Sequence, residues 1–130
     1  MRVLLSGQEI AAAQAIKAGL ARASVVCDSP ESEAEELVEL AASGYDAIVA
    51  SVPNARLDVA QFIATLRHRR IGLPVVVLQG FRNSGESVQL INAGADDVLA
   101  KPVNLTELAA RLRGINRRIN GHVETHLAVG

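Results

Sequence analysis

Short apolar runs that do not alternate recur along this chain and limit what it can fold into. They are Val3-Leu4-Leu5, Val25-Val26, Ala47-Ile48-Val49-Ala50, Val75-Val76-Val77-Leu78 and Val98-Leu99-Ala100. A strand with one wet face alternates apolar and polar residues, whereas a strand covered on both faces does not need to. Between the runs, apolar residues advance at helical spacing: Ile10, Ala13, Ile16 and Leu20, then Leu37, Val38, Leu40 and Ala41. Val59, Phe62, Ile63 and Leu66 follow, then Val88, Leu90 and Ile91, and last Leu105, Leu108, Ala109, Leu112 and Ile115. Strands and helices in strict alternation predict an α/β fold with a parallel sheet covered on both faces. Right-handed crossovers leave few topologies. The expected one is a doubly wound, five-stranded sheet in the order 2-1-3-4-5, a flavodoxin-like (βα)5 arrangement.

Turn and cap residues punctuate this pattern. Ser29 is expected to cap the second helix with Pro30 at its first position, and Gly44 to end it. Helices are expected from about Asp58, and from Asn83-Ser84-Gly85 to Gly94. Asn104 with Glu107 three residues on predicts a capping box at the last helix. Periodicity fades after Asn120, so 1–118 reads as the folded domain and 119–130 as a tail or the start of a linker.

At 130 residues one domain is expected, and with aromatics at 2% its core must be aliphatic. Cys27 is the only cysteine, so no internal disulfide exists, and it is expected to pack rather than react. No apolar run nears the ~20 residues of a membrane span, and a cytoplasmic location is the expectation. Residues 1–65 hold 9 acids and 4 bases, residues 66–130 hold 5 acids and 9 bases, giving −5 and +4. Arg67-His68-Arg69-Arg70 and Arg117-Arg118 lack interleaved aromatics, so direct nucleic-acid binding is not expected.

In open α/β sheets chemistry collects beyond the carboxyl ends of central strands, which singles out Ser51 at the end of the third run. It has no base near it in sequence, since His68, His122 and His126 are not at strand ends. That favours a hydrogen-bonding role over a nucleophilic one. His122 and His126 are spaced i, i+4, but the zinc protease pattern is absent, and no metal site is expected.

Gly94-Ala95-Asp96-Asp97, three residues, then Lys101-Pro102 form a recognisable signature, supported by Tyr45-Asp46, Leu73-Pro74 and Glu107-Leu108-Ala109-Ala110-Arg111. Over residues 1 to about 118 the chain resembles the receiver domains of bacterial two-component response regulators (CheY-like). The likeness is strongest to the winged-helix transcription-factor subgroup (OmpR/PhoB-type, CtrA-like). The resemblance implies two acids after the first strand, a phosphoacceptor Asp ending the third, a switch hydroxyl after the fourth and a switch aromatic on the fifth. Those positions here are Gly7 and Gln8, Ser51, Gln79 and Val98, and only Lys101 matches. Phosphoryl transfer to a carboxylate relies on a divalent cation held by hard oxygen ligands. The expectation is therefore a degenerate, neutral or weakly positive pocket that is neither enzymatic nor phosphorylated and holds no cofactor. The resemblance also implies a cis Lys101-Pro102 bond.

The same resemblance implies a homodimer through the fourth helix, fifth strand and fifth helix. Val88, Leu90, Asp96, Asp97, Glu107 and Arg111 are the expected interface residues, while Ser87 and Gln89 replace the usual basic residues. A histidine kinase, another regulator or an attached DNA-binding output domain are the other expected partners. The function expected is a protein-interaction and dimerisation module in two-component signal transduction or transcriptional regulation. The alternative is a sensor binding a small anion near Lys101, with Gln79 and Arg56 close by.

Overall fold

The computed structural model describes residues 1–54, 56–80 and 83–129, with 119–129 described through the backbone alone. Its strands are β1 (Arg2–Ser6), β2 (Val26–Asp28), β3 (Ala47–Val52), β4 (Val75–Gln79) and β5 (Asp97–Ala100). Its helices are α1 (Ile10–Ala21), α2 (Ala34–Ala41), α3 (Val59–His68), α4 (Ser84–Ala93) and α5 (Leu105–Val129). All four strand pairings are parallel, in the order β2-β1-β3-β4-β5. The expected topology is the observed one.

Side chains alternate between the two faces of a strand, and each face carries its own core. Leu4, Ile48, Ala50, Val75 and Val77 pack with α2, α3 and α4 through Leu37, Val38, Phe62, Ile63, Leu66 and Leu90. Val3, Leu5, Val49, Val76 and Leu78 pack with α1 and α5 through Ile16, Leu20, Leu108, Leu112 and Ile115. Every residue of β3 is buried, which explains why its sequence has no polar alternation. Cys27 is half-buried against the α1/α5 core, and burial pushes its thiol up to about 11.

Two local expectations need correction. Helix α2 begins after Glu33, which makes no side-chain cap bond, rather than after Ser29. Pro30 to Glu33 offer no apolar side chain to the sheet, so packing gives the helix no reason to start earlier. At α5 Asn104 Oδ1 does accept from the Glu107 backbone N–H at 2.9 Å. The Glu107 carboxylate, however, pairs with Arg111 at 3.2 Å instead of returning to the cap. The backbone of α5 is helical to Val129, past the point where apolar periodicity fades, which leaves the expected division at 118 open. No proline interrupts the helix, and helix continuity needs backbone bonds, not a buried stripe. The side chains of His122 and His126 lie outside the described set.

An arginine ties the amino ends of β4 and β5 together. Arg67 Nη1 donates to Ile71 O and Leu73 O, both at 2.8 Å, and Nη2 to Gly94 O at 2.9 Å and Asp96 Oδ2 at 3.2 Å. Asp96 Oδ2 also accepts from the Val75 backbone N–H at 2.7 Å. Arg69 pairs with Glu39 at 2.9 Å, so part of the basic cluster serves the scaffold.

Candidate functional site

Ser51 ends β3 fully buried. Its Oγ accepts from Gln8 Nε2 at 2.9 Å, and the same nitrogen lies 3.3 Å from Val49 O. Gln8 is presented by Gly7, whose φ of +83° suits a residue without Cβ. A Cβ at Gly7 would run into Asn54 Nδ2. Gln8 Oε1 and Asn54 Nδ2 are both buried with no hydrogen-bond partner among the described residues.

Lys101 follows β5 across from Ser51, and the Lys101-Pro102 bond is cis, as is Val52-Pro53. Its ammonium reaches Val52 O at 3.5 Å, a marginal distance for a hydrogen bond. Lys101 makes no ion pair among the described residues.

The pleat sorts the six expected pocket residues. Ser51 lies opposite Leu78 and Gln79 opposite Val52. Leu78 belongs to the α1/α5 face, while Val52 and Val98 belong to the α2/α3/α4 core. Gly7, Gln8, Ser51 and Lys101 therefore line one common cleft. Gln79 and Val98 do not join them, a correction to the expected cluster.

Instead Gln79 is clasped to α4. Its Nε2 donates to Asn83 O at 3.1 Å and Glu86 Oε1 at 2.9 Å, and its Oε1 accepts from Ser87 Oγ at 3.0 Å. A buried amide gains most when every donor and acceptor is used, and here all are. Arg56, the other group expected near Lys101, lies across a second cleft, 4.0 Å from Glu31.

This donor set supplies amides, a hydroxyl and an ammonium, with no carboxylate among Gly7, Gln8, Ser51 and Lys101. The divalent cation that the resemblance implies does not fit it, because the first acid position is closed by Asn54 against Gly7. No group of three His, Cys, Asp or Glu suited to a metal occurs among the described residues.

The expected interface is partly redrawn. Leu90 is only 2% exposed and sits in the α2/α3/α4 core, so it is not available to a partner. Val88 at 57% and Ile91 at 47% are the exposed apolar residues of α4. Arg111 pairs within the chain with Asp97 at 2.9 Å and Glu107 at 3.2 Å. Those acids raise the pKa of its guanidinium, Asp97's charge foremost. Asp96 is committed to Arg67 and the Val75 backbone N–H.

Sequence reasoning missed Asn54, whose importance depends on the φ at Gly7, and Ile91, whose exposure depends on which face of α4 docks. No described helix is long and apolar enough to cross a membrane.

Comparison with known proteins agrees with this geometry. The response regulator receiver domain family matches residues 3–113. Transcriptional regulatory protein BasR of Escherichia coli K12 is 34% identical over 104 residues, 80% of this chain and 47% of BasR. Transcriptional regulatory protein QseB of Escherichia coli O157:H7 is 30% identical over 130 residues, all of this chain and 59% of QseB. The chain thus spans about half the length of these curated relatives. The receiver domain of a Francisella response regulator superposes with a TM-score of 0.81 at 25% identity, covering 91% of this chain and 98% of that one. An orphan response regulator of H. pylori gives 0.74 at 28% identity, covering 88% and 94%. From the strand order, the Asp96-Asp97 to Lys101-Pro102 signature and these matches, the chain belongs to the response regulator receiver domain family.

Proposed function

We propose that this is a receiver domain that works without phosphorylation, as an interaction and dimerisation module in two-component signalling or transcriptional regulation. The observation that carries the reading is Ser51, buried and held by Gln8 at 2.9 Å where the resemblance calls for an acceptor carboxylate. A serine hydroxyl needs a base to become a nucleophile, and its hydrogen-bond partner is the Gln8 amide, a donor. Glu9, exposed at the rim of the same cleft, is a single carboxylate and a poor site for a divalent cation, so an incoming phosphoryl group would meet no neutralising cation.

The test is incubation with acetyl phosphate and Mg²⁺, followed by intact mass measurement beside the S51A variant. Wild type and S51A are expected to stay alike and unmodified. A phosphorylated species in wild type alone would overturn the reading. Gly7→Asp is not expected to restore acceptance, because it strains a φ of +83° and displaces Asn54.

The proposed partner surface is α4–β5–α5, with Val88 and Ile91 as apolar contacts and Asp97, Glu107 and Arg111 at the rim. Such rim charges set orientation more than affinity. Arg111 and its two acids would have to exchange their pairs within the chain for pairs across the interface. Sedimentation of wild type, V88E and R111E tests this: both variants are expected to shift a dimer toward monomer. In this reading the domain, residues 1–118, acts in the cytoplasm, and 119–130 lead toward an attached output domain. A histidine kinase or another regulator is the further candidate partner, and nucleic acid and membrane are not contacted directly.

A further inference from the structure

Between α1 and the β5–α5 connection lies a cleft of about 660 Å³ that neither the fold nor the proposed dimer uses. A volume of ~300–1,000 Å³ suits a small organic ligand, and the place is the switch point between β1 and β3, beyond the carboxyl ends of the strands.

Its two ends differ chemically. One wall is apolar: Ala12, Ala15 and Ile16 of α1 face Val103 and Leu105 across the groove. Ala12 and Ala15 are exposed, so their small side chains leave the groove open instead of filling it. At the other end stand Lys101, Gln8 and Ser51. Lys101 has no ion pair among the described residues and only the 3.5 Å contact to Val52 O. Gln8 Oε1 is buried without a donor among the described residues, a state that costs about 1–3 kcal/mol for an ordinary polar group. Among the described residues Glu9 is the one acid lining the cleft, exposed at the rim beside the amino end of α1, where the helix dipole offsets its charge.

An unpaired cation calls for an anion, an orphaned acceptor calls for a donor, and an open aliphatic groove calls for an apolar body. We propose that this cleft binds an amphipathic carboxylate bearing a hydroxyl or amide N–H on its β carbon. The carboxylate lies on Lys101, the neighbouring donor reaches Gln8 Oε1 after a small turn of the Gln8 side chain brings that buried atom to the cleft, and the apolar body runs along Ala12 and Ala15 toward Leu105. Ser51 keeps its bond from Gln8 throughout. The inference needs no dimer and no phosphoryl chemistry, and it stands apart from the reading of α4, β5 and α5.

Isothermal titration and thermal shift with four probes test it: 3-hydroxyoctanoate, octanoate, octan-1-ol and inorganic phosphate. A ligand that binds only the folded state raises the melting temperature by mass action. Saturable binding is expected for 3-hydroxyoctanoate, weaker binding for octanoate, and none for octanol or phosphate at equal concentration. Lys101→Met should weaken the hydroxy acid about tenfold or more, the scale of a lost charge-assisted hydrogen bond. Ala15→Leu should block it while leaving every polar group in place. Both positions are exposed, so folding is not at risk, and the melting temperature without ligand serves as the control. Equal binding of octanol, binding of phosphate in place of the carboxylates, or no binding of any probe would each overturn the proposal. So would K101M and A15L variants that bind like wild type.

Discussion

The two ends of this sheet treat their polar groups differently. At the amino ends of β4 and β5, Arg67 spends its guanidinium on Ile71 O, Leu73 O, Gly94 O and Asp96, and Asp96 adds the Val75 N–H. At the carboxyl ends, among the described residues, Lys101 has one 3.5 Å contact, and Gln8 Oε1 and Asn54 Nδ2 have no partner. A saturated network fixes one arrangement, whereas an unsatisfied one leaves free energy to be gained from a ligand. Arg67 belongs to the scaffold, and the open polar groups are where binding has something to work with. Gln79 marks the limit of the contrast, for it lies at a carboxyl end and yet is saturated by Asn83, Glu86 and Ser87.

Removing Arg67 should break the contrast most severely. Arg67→Ala strands three carbonyls and a carboxylate, and is expected to cost about 3 kcal/mol in urea denaturation. Arg67→Lys should recover only a part, because an ammonium cannot reproduce the planar fork. Next comes Gln79→Ala, expected to cost about 2 kcal/mol and to speed hydrogen exchange in α4 more than in α5. Lys101→Met should change stability by less than about 0.5 kcal/mol, the range of an uncommitted surface group. If it cost as much as R67A, the two ends would be alike and the contrast would fail.

The smallest effect concerns pH. Asp28 is held below its usual carboxylate range, first by the Tyr45 hydroxyl at 2.7 Å and then by Arg2 at 2.8 Å. A carboxyl whose pKa is depressed on folding stabilises the protein above its unfolded pKa, about 3.9. That contribution disappears as pH falls through the lower folded value. The stability difference between wild type and Asp28→Asn should therefore be steady near neutrality and shrink below about pH 4. A difference that grew on acidification would contradict the assigned direction.

Much of this architecture was legible because burial on two faces writes itself into β3 and β4 as unbroken aliphatic runs. The helix facing was less legible where the inward stripe is not apolar. Along α4 the inward positions are Glu86, Ser87 and Ala93, partly buried, and Leu90, fully buried, and the first two turn inward to meet Gln79. Hydrophobic spacing therefore could not tell Leu90, which is core, from Val88 and Ile91, which are exposed. Arg67 was hidden for a related reason: in Arg67-His68-Arg69-Arg70 the sequence shows four similar polar residues, and only the turn at Gly94 distinguishes the first. The position of Gln79 was readable in principle, since one residue's step along β4 reverses the face from Leu78.

The burial of β3 also governs time. Every residue of the strand is shielded, and it pairs on both sides, with β1 and with β4. Its amides should exchange with solvent only in the rare molecules that open the centre of the sheet, which makes them the slowest in the domain. The Ser51 hydroxyl is shielded differently, behind the Gln8 side chain at the end of the cleft. A reagent aimed at it must wait only for Gln8 to swing aside, so its labelling should run ahead of exchange at the β3 amides.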